Sequence, residues 1–257
     1  MKSFASQNFG FALLRGASAL AALAVLATSC GRGPVTPSTG AVTAGTITFQ
    51  FTVSGTIVPS QGDYIIAVNS NTDPNTDVNS NETPGEPTVA EAQAGTFTHW
   101  DQEFVYGFDT STSPNGFALS YKAVTAGGGI TFVPIILTTN QFIFNPTQSV
   151  GGTNNTFSIT LPIAIFSIRA NTQSTSPPTV TTPPAVRLHV NYITTDTGRT
   201  PQDQLGCCGV STTGFDLVVL LNAGMQIYQN QLTTPPGKPG PSNPNLFITG
   251  GMITVNP

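Results

Sequence analysis

Charge is what this chain has least of: only 8% of its 257 residues are Asp, Glu, Lys or Arg. Eight Lys and Arg in the whole sequence supply no basic stripe. Binding to nucleic acid through phosphate neutralisation and counterion release is therefore excluded. No apolar run reaches the roughly 20 residues that a membrane-spanning helix needs; the longest charge-free apolar stretch near the N-terminus, Ala17 to Thr28, stops at little more than half that. Catalytic signatures are missing as well. There is no G-x-S-x-G elbow, no H-E-x-x-H helix and no phosphate-cradling Gly-Lys loop. Two histidines and three cysteines leave little material for a metal centre built from nitrogen and sulfur.

What is present is turn-forming and hydroxyl-rich. Twenty-six Gly and 21 Pro punctuate a chain full of Thr, Ser, Asn and Gln. Helices favour Ala, Leu, Glu and Lys, whereas this composition suits short strands with a surface solvated by hydroxyls and amides. Sandwiches commonly run to about 200 to 250 residues as one domain, so a single core can hold the chain from residue 46 to 257.

The N-terminus carries an address. Lys2 and Arg15 precede the apolar run, which ends in Leu26-Ala27-Thr28-Ser29-Cys30 before Gly31-Arg32-Gly33-Pro34 breaks it. This stretch resembles the lipobox of bacterial lipoprotein precursors, with Ala27 standing where the family most often has Leu. The resemblance implies a signal peptide over residues 1–29, cleavage before Cys30, and acylation of Cys30, which anchors stably when more than one chain is attached. It also implies an extracytoplasmic domain at the outer membrane or the outer face of the cytoplasmic membrane, and Gly31, in place of Asp, points to the outer membrane where a cell has two. Residues 30–45 then read as the lipidated cysteine and a tether of Gly, Pro, Ser, Thr, Ala and Val with a single charge at Arg32, averaging roughly 20 Å end to end. Without residues 1–29, six Lys or Arg face twelve Asp or Glu.

Periodicity predicts an antiparallel β-sandwich, immunoglobulin-like or jelly-roll-like, of about ten strands. Thr46 to Ser54 alternates strictly, with Ile47, Phe49, Phe51 and Val53 on one face. Tyr64 to Val68 is continuously apolar, as a central strand would be. Pro87 to Gly95 reads either as a turn or two of helix, with Pro near its start and Gly past its end, or as an edge strand. Phe97 to Phe108 resumes β character, with Trp100, Phe104, Tyr106 and Phe108 in one phase. Strands follow at Phe117 to Val124, Ile130 to Leu137, Gln141 to Phe144 and Phe157 to Ile165, where Pro162 suggests an edge or a bulge. Asn171 to Pro184 is an extended Thr/Ser/Pro tract. The last strands are Val186 to Ile193, Phe215 to Leu221 (apolar on both faces, hence central), Met225 to Tyr228 and Leu246 to Val255, which Gly250-Gly251 interrupts as a bulge or hairpin would.

Three groups of residues carry possible chemistry. Asp73, Asn75, Asp77, Asn79 and Glu82 place oxygens at alternate positions and resemble the opening of a calcium loop; Val78 stands where the helical-hand loop has its Gly, and Pro84 where it has a bidentate Glu. Ca2+ is thus the one cofactor the sequence suggests, against an Asn/Asp-rich loop using side-chain turns. Cys207 and Cys208 are adjacent. They pair with each other, with another molecule, or stay free, and a ring between neighbours is strained, because their α-carbons lie about 3.8 Å apart. A rigid loop clasp is favoured over a redox pair in an oxidising compartment. His99, Asp101 and Glu103 fall on one face of a predicted strand and read either as a ligand face, for a cation or a polar ligand, or as a solvated row, the reading that is favoured.

Together these readings describe a lipid-anchored cell-envelope protein, attached to the membrane through Cys30, with a binding or structural module for glycan or protein and no assigned catalytic residue. The alternatives are a carbohydrate-active hydrolase using acids such as Asp101 and Glu103, and a thiol redox lipoprotein using Cys207 and Cys208.

Overall fold

Strict alternation and a continuous apolar run produce two different kinds of strand. The computed structural model describes residues 45–70, 87–124, 127–150, 153–169, 179–180, 187–205, 217–229, 232 and 237–257, all within one unit, Thr36–Pro257. Cys30, the Asp73 to Glu82 loop and Cys207-Cys208 lie outside the described residues. Strands β1 (Thr46–Val53), β6 (Ile143–Val150), β7 (Thr153–Pro162), β13 (Gln226–Tyr228) and β14 (Ile248–Asn256) form a five-stranded antiparallel sheet in the order β13-β14-β1-β7-β6. A second antiparallel sheet contains β2 (Gly62–Asn69), β3 (Gln102–Gly107), β4 (Ala118–Val124), β5 (Ile130–Pro134), β10 (Arg187–Asp196), β11 (Pro201–Gln204) and β12 (Leu217–Leu220). Its order is β11-β10-β2-β3-β4-β5, with β12 also on β10. The two sheets pack face to face as an all-β sandwich. A separate two-stranded ladder joins β8 (Ile168–Arg169) to β9 (Thr179–Val180).

Phe157 is the hub of the core. Its ring meets Phe51, Tyr64, Phe104, Tyr106 and Phe144, and Phe51 stacks in turn on Tyr192 with centroids 4.8 Å apart. Such rings bury about 150 to 250 Å² each, so this cluster dominates the hydrophobic stabilisation. The strands of the five-stranded sheet contain no Asp, Glu, Lys, Arg or His. Its outer face is laced by hydroxyls instead: Thr48 bonds Thr160 at 2.8 Å and Thr52 bonds Thr156 at 3.1 Å, each pair directly opposite in register. β14 stays continuous through Gly250-Gly251, which pair with Thr52 and Phe51, and bulges at the neighbouring Thr249, between the Thr52 and Val53 pairs. Gly251 is required there, because a β-carbon would stand 2.2 Å from the Gln50 carbonyl oxygen and 2.6 Å from the Tyr192 ring.

The charge-bearing sheet has a second, smaller core on its outer face, which explains why β2 is apolar in both phases. Ile65, Ala67, Val105 and Ile193 are roofed there by Val89 and Trp100, with Phe97 and Phe132 packed alongside. Val89 belongs to α1 (Val89–Ala94), which settles the Pro87 to Gly95 segment as helix. Thr88 and Glu91 form a capping box, and Gly95 takes the left-handed conformation just past its end. Buried Asn191 ties the incoming chain down, donating from Nδ2 to the Pro87 carbonyl at 2.7 Å and to Gln204 Oε1 at 3.1 Å.

Several expectations are corrected. Trp100 does not share a phase with Phe104 and Tyr106, because β3 begins only at Gln102 and the preceding chain folds over the outer face. Phe108 leaves the strand in a 3-10 turn and is exposed. β7 is interior, and Pro162 is tolerated as its last residue, opposite Thr46 at the sheet's end. β12 is an edge strand, not a central one: it occupies the free side of β10 beside residues 187–190, while β11 occupies the same side beside residues 193–195. The described residues hold fourteen strands. β8, β9 and β11 went unread in the sequence because none is longer than four residues and β11, Pro-Gln-Asp-Gln, has no apolar alternation.

Candidate functional site

Among the described residues, the β10–β11 hairpin positions a dense group of charges. Asp196 Oδ1 accepts hydrogen bonds from the backbone N–H of Gly198 and of Thr200, both at 2.9 Å, and its backbone N–H donates to the Thr200 carbonyl. This wiring holds Arg199 at φ +61°, a left-handed conformation that costs a non-glycine residue about 1 to 2 kcal/mol. The guanidinium is thereby laid across three carboxylates from elsewhere in the chain. Nε stands 2.5 Å from Asp109 Oδ2 and 3.9 Å from Asp63 Oδ2, and the guanidinium also lies 4.0 Å from Glu103 Oε1.

Each acid is placed by its own element. Asp63 opens β2 opposite Gly107, where a β-carbon would stand 2.3 Å from the Gly62 carbonyl oxygen. That close approach lets Asp63 Oδ1 accept the backbone N–H of Asp109 at 3.0 Å, while Oδ2 is buried with no hydrogen-bond partner. Glu103 lies on β3 beside Ala67 and Ser120, buried under Arg199. Asp109 sits in the exposed 3-10 turn Phe108–Thr110, which Thr110 fastens by donating from Oγ1 to the Gly107 carbonyl at 2.8 Å. Burial lifts the Asp63 carboxyl above its ordinary range, against the pull of the Asp109 N–H and of Arg199. Burial likewise raises Glu103 to about 7, with Arg199 opposing and the charges of Asp63 and Asp109 adding. The pattern is layered: two buried acids, both raised by burial, lie beneath, and Arg199, Asp109 and the ring of Phe108 are at the surface. Arg199 fills the place between carboxylates that a metal ion would take, and among the described residues no group of three or more His, Cys, Asp or Glu is arranged to hold one.

The three residues expected to form one ligand face are used in three different places. His99 precedes the strand, and its Nδ1 lies 2.9 Å from Glu91 Oε1, the acid of the α1 cap. Asp101 accepts from the Ser70 backbone N–H at 2.9 Å and from the Ser70 hydroxyl. Glu103 alone joins the Arg199 group. The shared row fails because regular alternation does not extend upstream of Gln102. Asp63, Asp109 and Arg199 went unrecognised: they are scattered over more than 130 positions, and no spacing rule connects them. The one available signal was a charged residue heading the apolar run Tyr64 to Val68.

A second buried charge pair is structural. Asp203 Oδ1 meets Lys238 Nζ at 2.8 Å with both side chains all but inaccessible, and Asp203 also accepts from the backbone N–H of Ile248 and Gln204. Lys238 further donates to the Gln204 carbonyl and lies 5.9 Å over the Phe247 ring. Residues 237–247 are thus pinned into the sandwich by Lys238.

Fold and cluster define an antiparallel β-sandwich with a carboxylate–arginine surface at one end of its charged sheet. Comparison of the chain with protein-family models, curated proteins and solved structures gives no match. Among the described residues, no helix is long and apolar enough to cross a membrane.

Proposed function

We propose that this is a lipid-anchored lipoprotein of the bacterial cell envelope whose sandwich is a binding module, taking a glycan or a protein surface at the end that carries Arg199. The observation behind this reading is the layered cluster: a guanidinium held in place by the hairpin, an accessible carboxylate at Asp109, and the exposed ring of Phe108 next to it in the same turn. Planar donors paired with acceptors, beside an apolar ring, suit a hydroxyl-rich ligand that needs both hydrogen bonds and a stacking surface. The hydrolase alternative is less well supported. Asp101 is occupied by Ser70 and Glu103 is buried, whereas glycoside hydrolysis needs two carboxyl groups reaching the scissile bond.

Binding to an array of envelope and extracellular polysaccharides tests the reading. Arg199→Ala and Phe108→Ala are each expected to weaken binding on the order of tenfold, about 1.4 kcal/mol, with no sugar released. Release of reducing sugar that disappears in Glu103→Gln establishes the hydrolase in its place. Calcium at Asp73, Asn75, Asp77, Asn79 and Glu82 belongs to the same proposal. An ion present at 100 times its dissociation constant stabilises by about 2.7 kcal/mol, so chelation is expected to lower the thermal midpoint of the full chain, and an unchanged midpoint removes calcium.

A further inference from the structure

The described residues include one hairpin-shaped crossover, from β12 in one sheet to β13 in the other, that exposes large apolar side chains. Between β12 and β13 the chain turns through residues 221–225, and Met225 is 71% exposed, Ile227 58% and Leu220 40%. From Leu217 to Gly237 there is no charged residue at all. Met225 is on the turn itself, and Leu220 and Ile227 flank it on the outward phases of β12 and β13, one on each sheet. Large apolar side chains exposed at one end of a sandwich mark a contact surface more often than a solvated one.

The registers fix where this hairpin lies. Gln226 pairs with Val255, and Val255 with Ile47, so Met225, one residue earlier, stands level with Thr46 and Asn256 at the sheet's end. Thr46 is where the chain enters the sandwich after Gly45, whose carbonyl is held by the Ile163 N–H at 2.8 Å. On the other sheet, Leu220 pairs with Arg187, the first residue of β10, whereas the Arg199 hairpin follows Asp196, its last. A ten-residue strand at about 3.3 Å per residue separates the two ends by roughly 30 Å. The apolar hairpin and the arriving tether therefore share one end, and the carboxylate–arginine cluster is at the other.

We infer that the 220–227 hairpin docks on the lipid surface to which the tether leads, seating Leu220, Met225 and Ile227 among the acyl chain ends of the interface and pointing Arg199 away from the membrane. This inference rests on the lipid-anchor reading of Cys30. Three side chains bind a bilayer weakly by themselves. With about 15 residues of tether, however, the second contact becomes intramolecular, at an effective concentration in the millimolar range that makes a weak partition sufficient. The missing charge within the segment matters here, because no ion of the turn itself has to be desolvated, while Arg187 on β10, paired with Leu220, is long enough to keep its guanidinium at the headgroups.

Tryptophan placement in the full chain tests the inference. The single native tryptophan, Trp100, is buried and supplies a constant background. Met225→Trp and Phe108→Trp put a reporter at each end, in vesicles of dibrominated phosphatidylethanolamine and phosphatidylglycerol. The expected result is a blue shift and bromine quenching for Met225→Trp and neither for Phe108→Trp. Equal emission from the two reporters overturns docking, as does a dimer cross-linked through residue 225 with no quenching, which would assign the hairpin to a second copy. The anchor is read separately, by the mass of the acylated N-terminus and by loss of Cys30→Ser from the membrane fraction. An unacylated chain whose Met225→Trp reporter is still quenched on added vesicles refutes the anchor and keeps the docking; an acylated chain with an unquenched reporter does the reverse.

Discussion

Lys238→Met lowers the thermal midpoint on the order of 10 °C. The substitution keeps most of the side-chain volume and removes only the ammonium, leaving the Asp203 carboxylate buried and facing no cation. Breaking a buried pair from one side costs about 3 to 5 kcal/mol, and in a domain of this size each kcal/mol moves the midpoint by roughly 2 to 4 °C. Burial already pushes the Asp203 carboxyl above its ordinary range despite the lysine and two backbone N–H donors, so the carboxyl desolvation outweighs the attraction even in the intact pair. For that reason Asp203→Asn combined with Lys238→Met is expected to recover part of the loss. Calorimetry of the wild type, both single variants and the double variant measures the coupling; a Lys238→Met midpoint within the scatter of the wild type would show that the pair contributes nothing.

Glu103→Gln stabilises the protein at pH 8 and flattens its stability profile between about pH 4.5 and 7. The unfolded chain releases this proton near the ordinary value of 4.5, while the folded protein keeps it until about 7. Across that interval the folded state binds the extra proton, so stability falls as pH rises, and above about 7 the contribution is constant. At about 1.4 kcal/mol per pH unit the total is on the order of 3 kcal/mol. Asp63, also raised by burial, adds a slope of the same sign. Urea unfolding at a series of pH values reads the effect directly, and superimposable profiles for wild type and Glu103→Gln would place the carboxylate in water, contrary to its burial under Arg199.

Both effects arise at contacts that no local pattern announces. Strand β1 was legible because Ile47, Phe49, Phe51 and Val53 obey one period along eight residues, and the same holds for Phe157, Ile159 and Leu161 on β7. The helix cap at Thr88 and Glu91 was half legible: Pro and Gly flagged its ends, but only the roof over Ile65 and Val105 excludes a strand there. β12 misled, since an apolar run reads as central whether it is covered by a neighbouring strand or exposed at Leu220. His99 and Asp101 misled in a similar way, because alternation was extended past the point where the backbone leaves the sheet.

Composition and period alone determined that this chain forms a β-sandwich, that its surface is solvated more by hydroxyls and amides than by ions, and that its N-terminal residues resemble a lipoprotein leader. These are sums or short-range repeats, and a strand's two-residue period is set by its own backbone. The meeting of Asp63, Glu103 and Asp109 beneath Arg199, the burial of Lys238 and the separation of an apolar end from a charged end were decided only by the tertiary structure. Each depends on which strands become neighbours and in what register, and that is settled by the packing of two sheets around Phe157, which no stretch of sequence contains.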